Sequence, residues 1–199
     1  MDDYFAVFGL PRKLQVDADD LQRRFYALSR RHHPDFHQLS GEAEQAAALS
    51  SSALINRAYR ALRDPLGRVE YVIALEEGRE TKEGAEVKAK APGDLLEEML
   101  EIQETLEEAK MSGLNAESRS RLDQERRRLA ERKAAGEAAL VALFPDWDQL
   151  IDTGGDRRPL LDSFKQGLAT RAYLRTVIED LDEALAHERQ EPHVSHRRH

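Results

Sequence analysis

Residues 17–35 read DADDLQRRFYALSRRHHPD. Leu21, Phe25, Leu28 and His32 recur at i, i+4, i+7 and i+11, the spacing that places side chains on one face of a helix. Asp17 and Ala18 open that helix and Pro34 closes it. Proline lacks a backbone donor, holds φ near about −65° and pushes the preceding residue out of the helical region, so the helix is predicted to end at His32 or His33. His33 and Asp35 are then presented side by side on a loop tip, which points to a contact surface rather than a catalytic site. On the same wheel Arg23 and Arg30 oppose the apolar face, while Arg24 and Arg31 lie on its flank.

The flanking segments complete a small helical module over residues 1–76. A short turn over Asp3 to Leu10 carries Tyr4, Phe5, Val7, Phe8 and Leu10, and Gly9 and Pro11 stop it. A third helix from about Glu42 to Arg63 buries Ala48, Ser52, Ile55, Ala58, Tyr59 and Leu62, and its small residues suit close antiparallel packing against the second. Asp64-Pro65 opens a fourth, with proline in the first turn where its missing N–H costs nothing. That helix contributes Val69, Val72, Ile73 and Leu75.

Residues 77–93 read as a linker, since GRETKEGAEVKAKAPG over 78–93 is polar, glycine-bearing and free of apolar periodicity. A second module is expected over 94–188. Asp94 caps a helix striped by Leu95, Met99, Ile102, Leu106 and Ala109, ending near Ser112-Gly113. Asn115 opens a long charged helix with Leu122, Leu129, Gly136, Leu140 and Leu143 at near-heptad spacing, interrupted at Pro145. After a loop carrying Gly154 and Gly155, a last helix aligns Leu160, Phe164, Gly167, Leu174, Ile178, Leu181 and Leu185. Three helices that each need an apolar neighbour imply a three-helix bundle or an antiparallel coiled coil, so the fold class is all-α. Residues 189–199 are expected to be a disordered tail.

Leu96 and Leu100 fall off the buried stripe of the helix beginning at Asp94, beside Glu97, Glu101, Glu104 and Glu108. Two leucines framed by glutamates suggest an interaction patch; a wider buried stripe is the alternative. Tyr173 is similarly off its stripe and would complete an apolar centre inside an acidic rim.

Composition narrows the function classes. With 34% charged residues and 6% aromatics, thin helical packing is favoured over a large core. A net charge of −8 argues against nucleic-acid or anionic-membrane binding, both of which need a basic field. There is no cysteine, which excludes disulfides, thiol catalysis and thiolate metal sites. No stretch of about 18 apolar residues occurs, and a cytoplasmic location is expected. His193, His196 and His199 are better read as solvated than as a chelate, and no glycine-rich phosphate loop is present. No catalytic residue, no metal site and no cofactor are expected.

Tyr4-Phe5, Leu10, the basic second helix, His33-Pro34-Asp35, Ile55-Asn56, Ala58-Tyr59, Leu62, Pro65, Arg68 and Tyr71 together resemble a J domain. More narrowly, DYFAVFGLP at the start, IN.AY..L.DPL.R.EY across the third and fourth helices, and the acidic leucine-bearing helix beyond residue 94 resemble the HscB co-chaperones of iron-sulfur cluster assembly. The resemblance implies an N-terminal J domain over 1–76 followed by a C-terminal three-helix bundle. It implies two partners: a DnaK/HscA-type ATP-driven chaperone, whose ATP hydrolysis is stimulated, and an IscU-type iron-sulfur scaffold protein delivered to it. On this resemblance His33, Pro34, Asp35, Arg24, Arg30 and Arg31 bind the chaperone, and Leu96, Leu100, Glu101, Glu104, Glu108 and Tyr173 bind the scaffold. Phe36 departs from the basic residue usual in J domains, and Glu97 from a common methionine. The chain also lacks the cysteine pairs and the glycine-phenylalanine segment of general chaperones of this class, which favours a dedicated adaptor. A monomer is expected, with weak self-association left open. The alternatives are an adaptor for a different client, a self-associating helical module and, least favoured, a zinc- or carboxylate-dependent enzyme.

Overall fold

The computed structural model describes residues 2–33, 41–78, 96–113 and 115–187, with the backbone alone at 96–99, 109, 110, 112 and 187. Eight helices and no strand occur among the described residues: α1 (Tyr4–Val7), α2 (Ala18–Arg31), α3 (Glu42–Arg63), α4 (Pro65–Glu76), α5 (Leu96–Ser112), α6 (Ala116–Ala142), α7 (Phe144–Thr153) and α8 (Arg158–His187). The all-α expectation holds. Pro34, Asp35, Phe36, Asp94, Leu95, most of the expected linker and the tail histidines lie outside the described residues.

The chain forms two compact units, Met1–Ala85 with Ala139–Lys165, and Glu86–Ala138 with Gln166–His199. In the first, local capping explains where each helix starts. The Asp3 carboxylate accepts from the amides of Phe5 and Ala6, Asp17 from those of Asp19 and Asp20, and Asp64 from that of Gly67 at 2.6 Å. Such bonds satisfy the N–H groups that a first turn leaves without carbonyl partners. Gly9, at φ +61°, ends the α1 turn in the left-handed region.

Helix α3 packs against α1, α2 and α4, and the Phe25 and Tyr59 rings stack at 4.1 Å between α2 and α3. Helix α4 is the centre of this unit: Leu66, Val69, Tyr71, Val72, Ile73 and Ala74 are all buried. Tyr71 stacks on Tyr4 at 4.3 Å, donates its hydroxyl proton to the Asp2 carbonyl and accepts from the Tyr4 amide. Burial pushes the Tyr71 phenol up.

Helix α7 was not legible as a separate element. Pro145 does not introduce a loop; it occupies the first turn of α7, where a missing backbone donor is tolerated. Gly154, at φ +68°, ends the helix. Trp147 is fully buried and donates its indole N–H to the Arg12 carbonyl at 3.3 Å. Asp148, also buried, accepts from the Leu14 amide at 2.6 Å and the Gln15 amide at 3.1 Å. Lys13 pairs with Asp152, Arg157 with Glu76 and Lys165 with Glu77. These contacts place residues 139–165 with the N-terminal helices, whereas the sequence pattern assigns them to the 94–188 module.

The second unit is organised around Ile102 of α5, Leu122 and Leu129 of α6, and Leu174, Leu181 and Leu185 of α8, with Leu106, Tyr173, Val177 and Ile178 packed against them. Seven-residue steps in α6 and α8 keep these leucines on one seam. The next step after Leu129 reaches Gly136, which is exposed. Arg126 pairs with Asp182, and Arg171 with Glu137 at 2.7 Å.

Candidate docking surfaces

The first candidate surface is the outer face and C-terminal end of α2. Arg30 and Arg31 occupy the last turn, where cations are favoured by the negative end of the helix dipole, and both are exposed. His32 caps the helix, its amide donating to the Leu28 carbonyl, and is half-buried. His33 follows and is exposed, immediately before Pro34 and Asp35. Ordinary helix termination therefore separates two adjacent histidines into an inner and an outer one.

The arginines differ in what they do within the unit. Arg24 is engaged internally: Nε donates to Asp20 at 2.7 Å and Nη1 to the Phe8 carbonyl at 2.8 Å, tying α2 to the end of α1. The hydrogen bond from Arg24 is the main cause holding the Asp20 carboxyl below the usual carboxylate range. Arg23 pairs with the other oxygen of Asp20. One residue unmarked in the sequence joins this face. Tyr26 is 61% exposed and lies at i, i+3, i+7 with Arg23 and Arg30, so its helical register is the signal that could have found it.

The second candidate surface is on α5. Ile102 is buried in the seam, whereas Leu100, two residues earlier, is 59% exposed. Two residues turn a helix through about 200°, so these side chains belong to opposite faces. Glu101, Glu104 and Glu108 are exposed around Leu100. Glu101 reaches Arg121 of α6 at 3.4 Å, a surface pair of small energetic weight. The side chain of Leu96 lies outside the described residues. Tyr173 is half-buried against the seam, and that burial pushes its phenol up.

No group of three or more His, Asp or Glu side chains suited to a metal ion occurs among the described residues. No helix among them is long and apolar enough to cross a membrane.

Residues 91–153, which include α5, α6 and α7, match the family model of the HSCB C-terminal oligomerisation domain. Over nearly the whole chain the structure is similar to the chaperone HscB from Vibrio cholerae, with 26% sequence identity and a TM-score of 0.58, covering 92% of this chain and 99% of that one. The chain is similar to the HscB co-chaperones. The fold of the human co-chaperone protein HscB is similar to that of this chain, with a TM-score of 0.57 at 22% identity, covering 96% of this chain and 83% of that one. The Leu100 surface falls inside the matched HscB family segment, and Tyr173 lies beyond it.

Proposed function

We propose that this chain is a co-chaperone that stimulates ATP hydrolysis by a DnaK/HscA-type chaperone and delivers to it an IscU-type iron-sulfur scaffold, promoting maturation of iron-sulfur proteins. The observation that carries this reading is the exposure of Leu100 among glutamates in a chain whose α2 ends in exposed Arg30, Arg31 and His33 next to Pro34-Asp35. The chain itself performs no covalent chemistry. It accelerates hydrolysis in the partner by favouring, on docking, a conformation closer to the partner's transition state. Asp35 makes a charge-assisted bond to a basic group of the chaperone, His33 a polar contact, and Pro34 holds their relative geometry. Arg30 and Arg31 steer docking onto an acidic chaperone surface, while Arg24 sets the position of α2. Leu96 and Leu100 form the apolar centre of the scaffold contact, Glu101, Glu104 and Glu108 its acidic rim, and Tyr173 its flank. The location proposed for it is the cytoplasm.

A single-turnover ATPase assay of the cognate chaperone tests the reading. Stimulation by this chain is expected to rise further when the scaffold is added. His33→Gln is expected to abolish stimulation with an unchanged melting temperature. Stimulation that survives this substitution, or an absence of synergy with the scaffold, would overturn the corresponding half.

A second reading follows from the description of the matching family model, which names oligomerisation. Self-association through α5 predicts a mass in light scattering that rises with concentration, whereas the adaptor stays monomeric alone.

A further inference from the structure

Met111, in the last turn of α5, is 89% exposed and carries none of the seam packing that holds Ile102 and Leu106. Single exposed apolar residues are ordinary and need no explanation. Its register is what gives Met111 meaning. Eleven residues separate it from Leu100, and at about 100° per residue this is three full turns plus about 20°, so the two side chains share one face about 16 Å apart. Glu104 and Glu107 fall between them on that face, and both are exposed. The outer face of α5 is therefore an apolar, acidic, apolar sequence along the helix, back to back with the buried Ile102 and the half-buried Leu106.

We infer that Met111 is a second apolar anchor of the scaffold-docking surface, extending it three turns beyond Leu100 toward the C-terminal end of α5. The inference rests on the scaffold reading proposed above and adds a residue and a partner chemistry to it. A partner that covers both anchors must cross Glu104 and Glu107, so its surface carries basic side chains between two apolar patches. The same carboxylates disfavour a second copy of this chain on this face. Face-to-face pairing of two α5 helices would oppose glutamate to glutamate, and like charges brought together across an interface are repulsive. Methionine suits the role because its unbranched, polarisable side chain adapts to an irregular apolar surface, and it is enriched at protein interfaces.

Titration calorimetry of the full chain against the iron-sulfur scaffold protein tests this, with Met111→Gln, Met111→Leu and Leu100→Ala measured beside the unaltered chain. Met111→Gln keeps the length of the side chain but not its apolar end, and is expected to weaken binding by about fivefold, the size of a single moderate interface anchor. Met111→Leu is expected to stay within about twofold of the unaltered chain, since it preserves apolar volume. Light scattering of each variant is expected to report one mass, independent of concentration. If Leu100→Ala weakens binding and Met111→Gln does not, the Met111 inference fails and the scaffold reading stands. If neither weakens binding, the scaffold reading fails and takes the inference with it. A concentration-dependent mass that Met111→Gln abolishes would assign the face to a second copy and overturn the inference.

Discussion

The carboxylate of Asp148 on α7 accepts hydrogen bonds from the backbone of Leu14, at 2.6 Å, and from the next residue at 3.1 Å. Both Asp148 and Leu14 are buried, and 134 residues separate them in sequence. The segment they join leads from α1 to Asp17, the cap of the basic helix α2. One acidic side chain thus satisfies two amides of an irregular segment that has no ladder or helix to supply acceptors. Arg68 is buried too; burial pushes its guanidinium below the ordinary arginine value, and the charges of Asp64 and Asp148 oppose that shift. Its Nε meets no acceptor among the described residues, and the charge of Asp64, followed by that of Asp148, compensates the buried guanidinium.

Asp148→Ala is expected to destabilise the first unit by about 2–4 kcal/mol, because it strands two amides and removes a charge facing a buried arginine. Trp147 is the only tryptophan in the chain and is fully buried in that unit, so its fluorescence during urea unfolding measures this directly. An unchanged midpoint would show that solvent replaces the carboxylate.

Reversing Arg30 and Arg31 to glutamate is expected to slow association with the chaperone more at low salt than at high salt. The Debye length falls from about 30 Å at 0.01 M to about 8 Å at 0.15 M, which screens steering between exposed charges. Arg24→Ala is expected to act differently, lowering the melting temperature through loss of the bonds to Asp20 and the Phe8 carbonyl. Stopped-flow association at two ionic strengths, paired with thermal melts, separates the two roles.

In the second unit, burial alone would raise the Glu137 carboxyl, but hydrogen bonds from Arg171 and Lys133 outweigh it and hold the group below its ordinary value. A carboxylate depressed on folding contributes stability that is fully present above its unfolded value of about 4.3 and is lost as pH falls through its folded value. Glu137→Gln is therefore expected to lower stability by about 1 kcal/mol or less at pH 7, with the difference from the unaltered chain shrinking on acidification below about pH 4. Circular dichroism melts across that range check both the size and the sign.

Much of this was legible along the chain because helix signals are local. Asp17 before a 3.6-residue period, Asp64-Pro65 before an apolar run, and Leu100 two residues from Ile102 all speak through neighbours within a turn or two. Pro145 misled because one residue type ends a helix and also begins one, and only the carbonyls available upstream distinguish the cases. Tyr26 and Met111 escaped because an apolar residue on a charged face reads as noise until burial shows that nothing covers it.

By itself the sequence determined the all-α class, the starts of α1 to α4 and of α6, the sides of α2 and α5 that face inward, and the resemblance to HscB proteins. All of these follow from periodicity, capping and short motifs, whose physics acts over a few residues. Only the tertiary structure decided that α7 closes on the segment before α2, that Arg24 braces α1 while Arg30 and Arg31 remain exposed, and that Asp148 and Arg68 are buried. Those outcomes depend on contacts between residues scores of positions apart, where burial and hydrogen-bond satisfaction are settled by which elements meet.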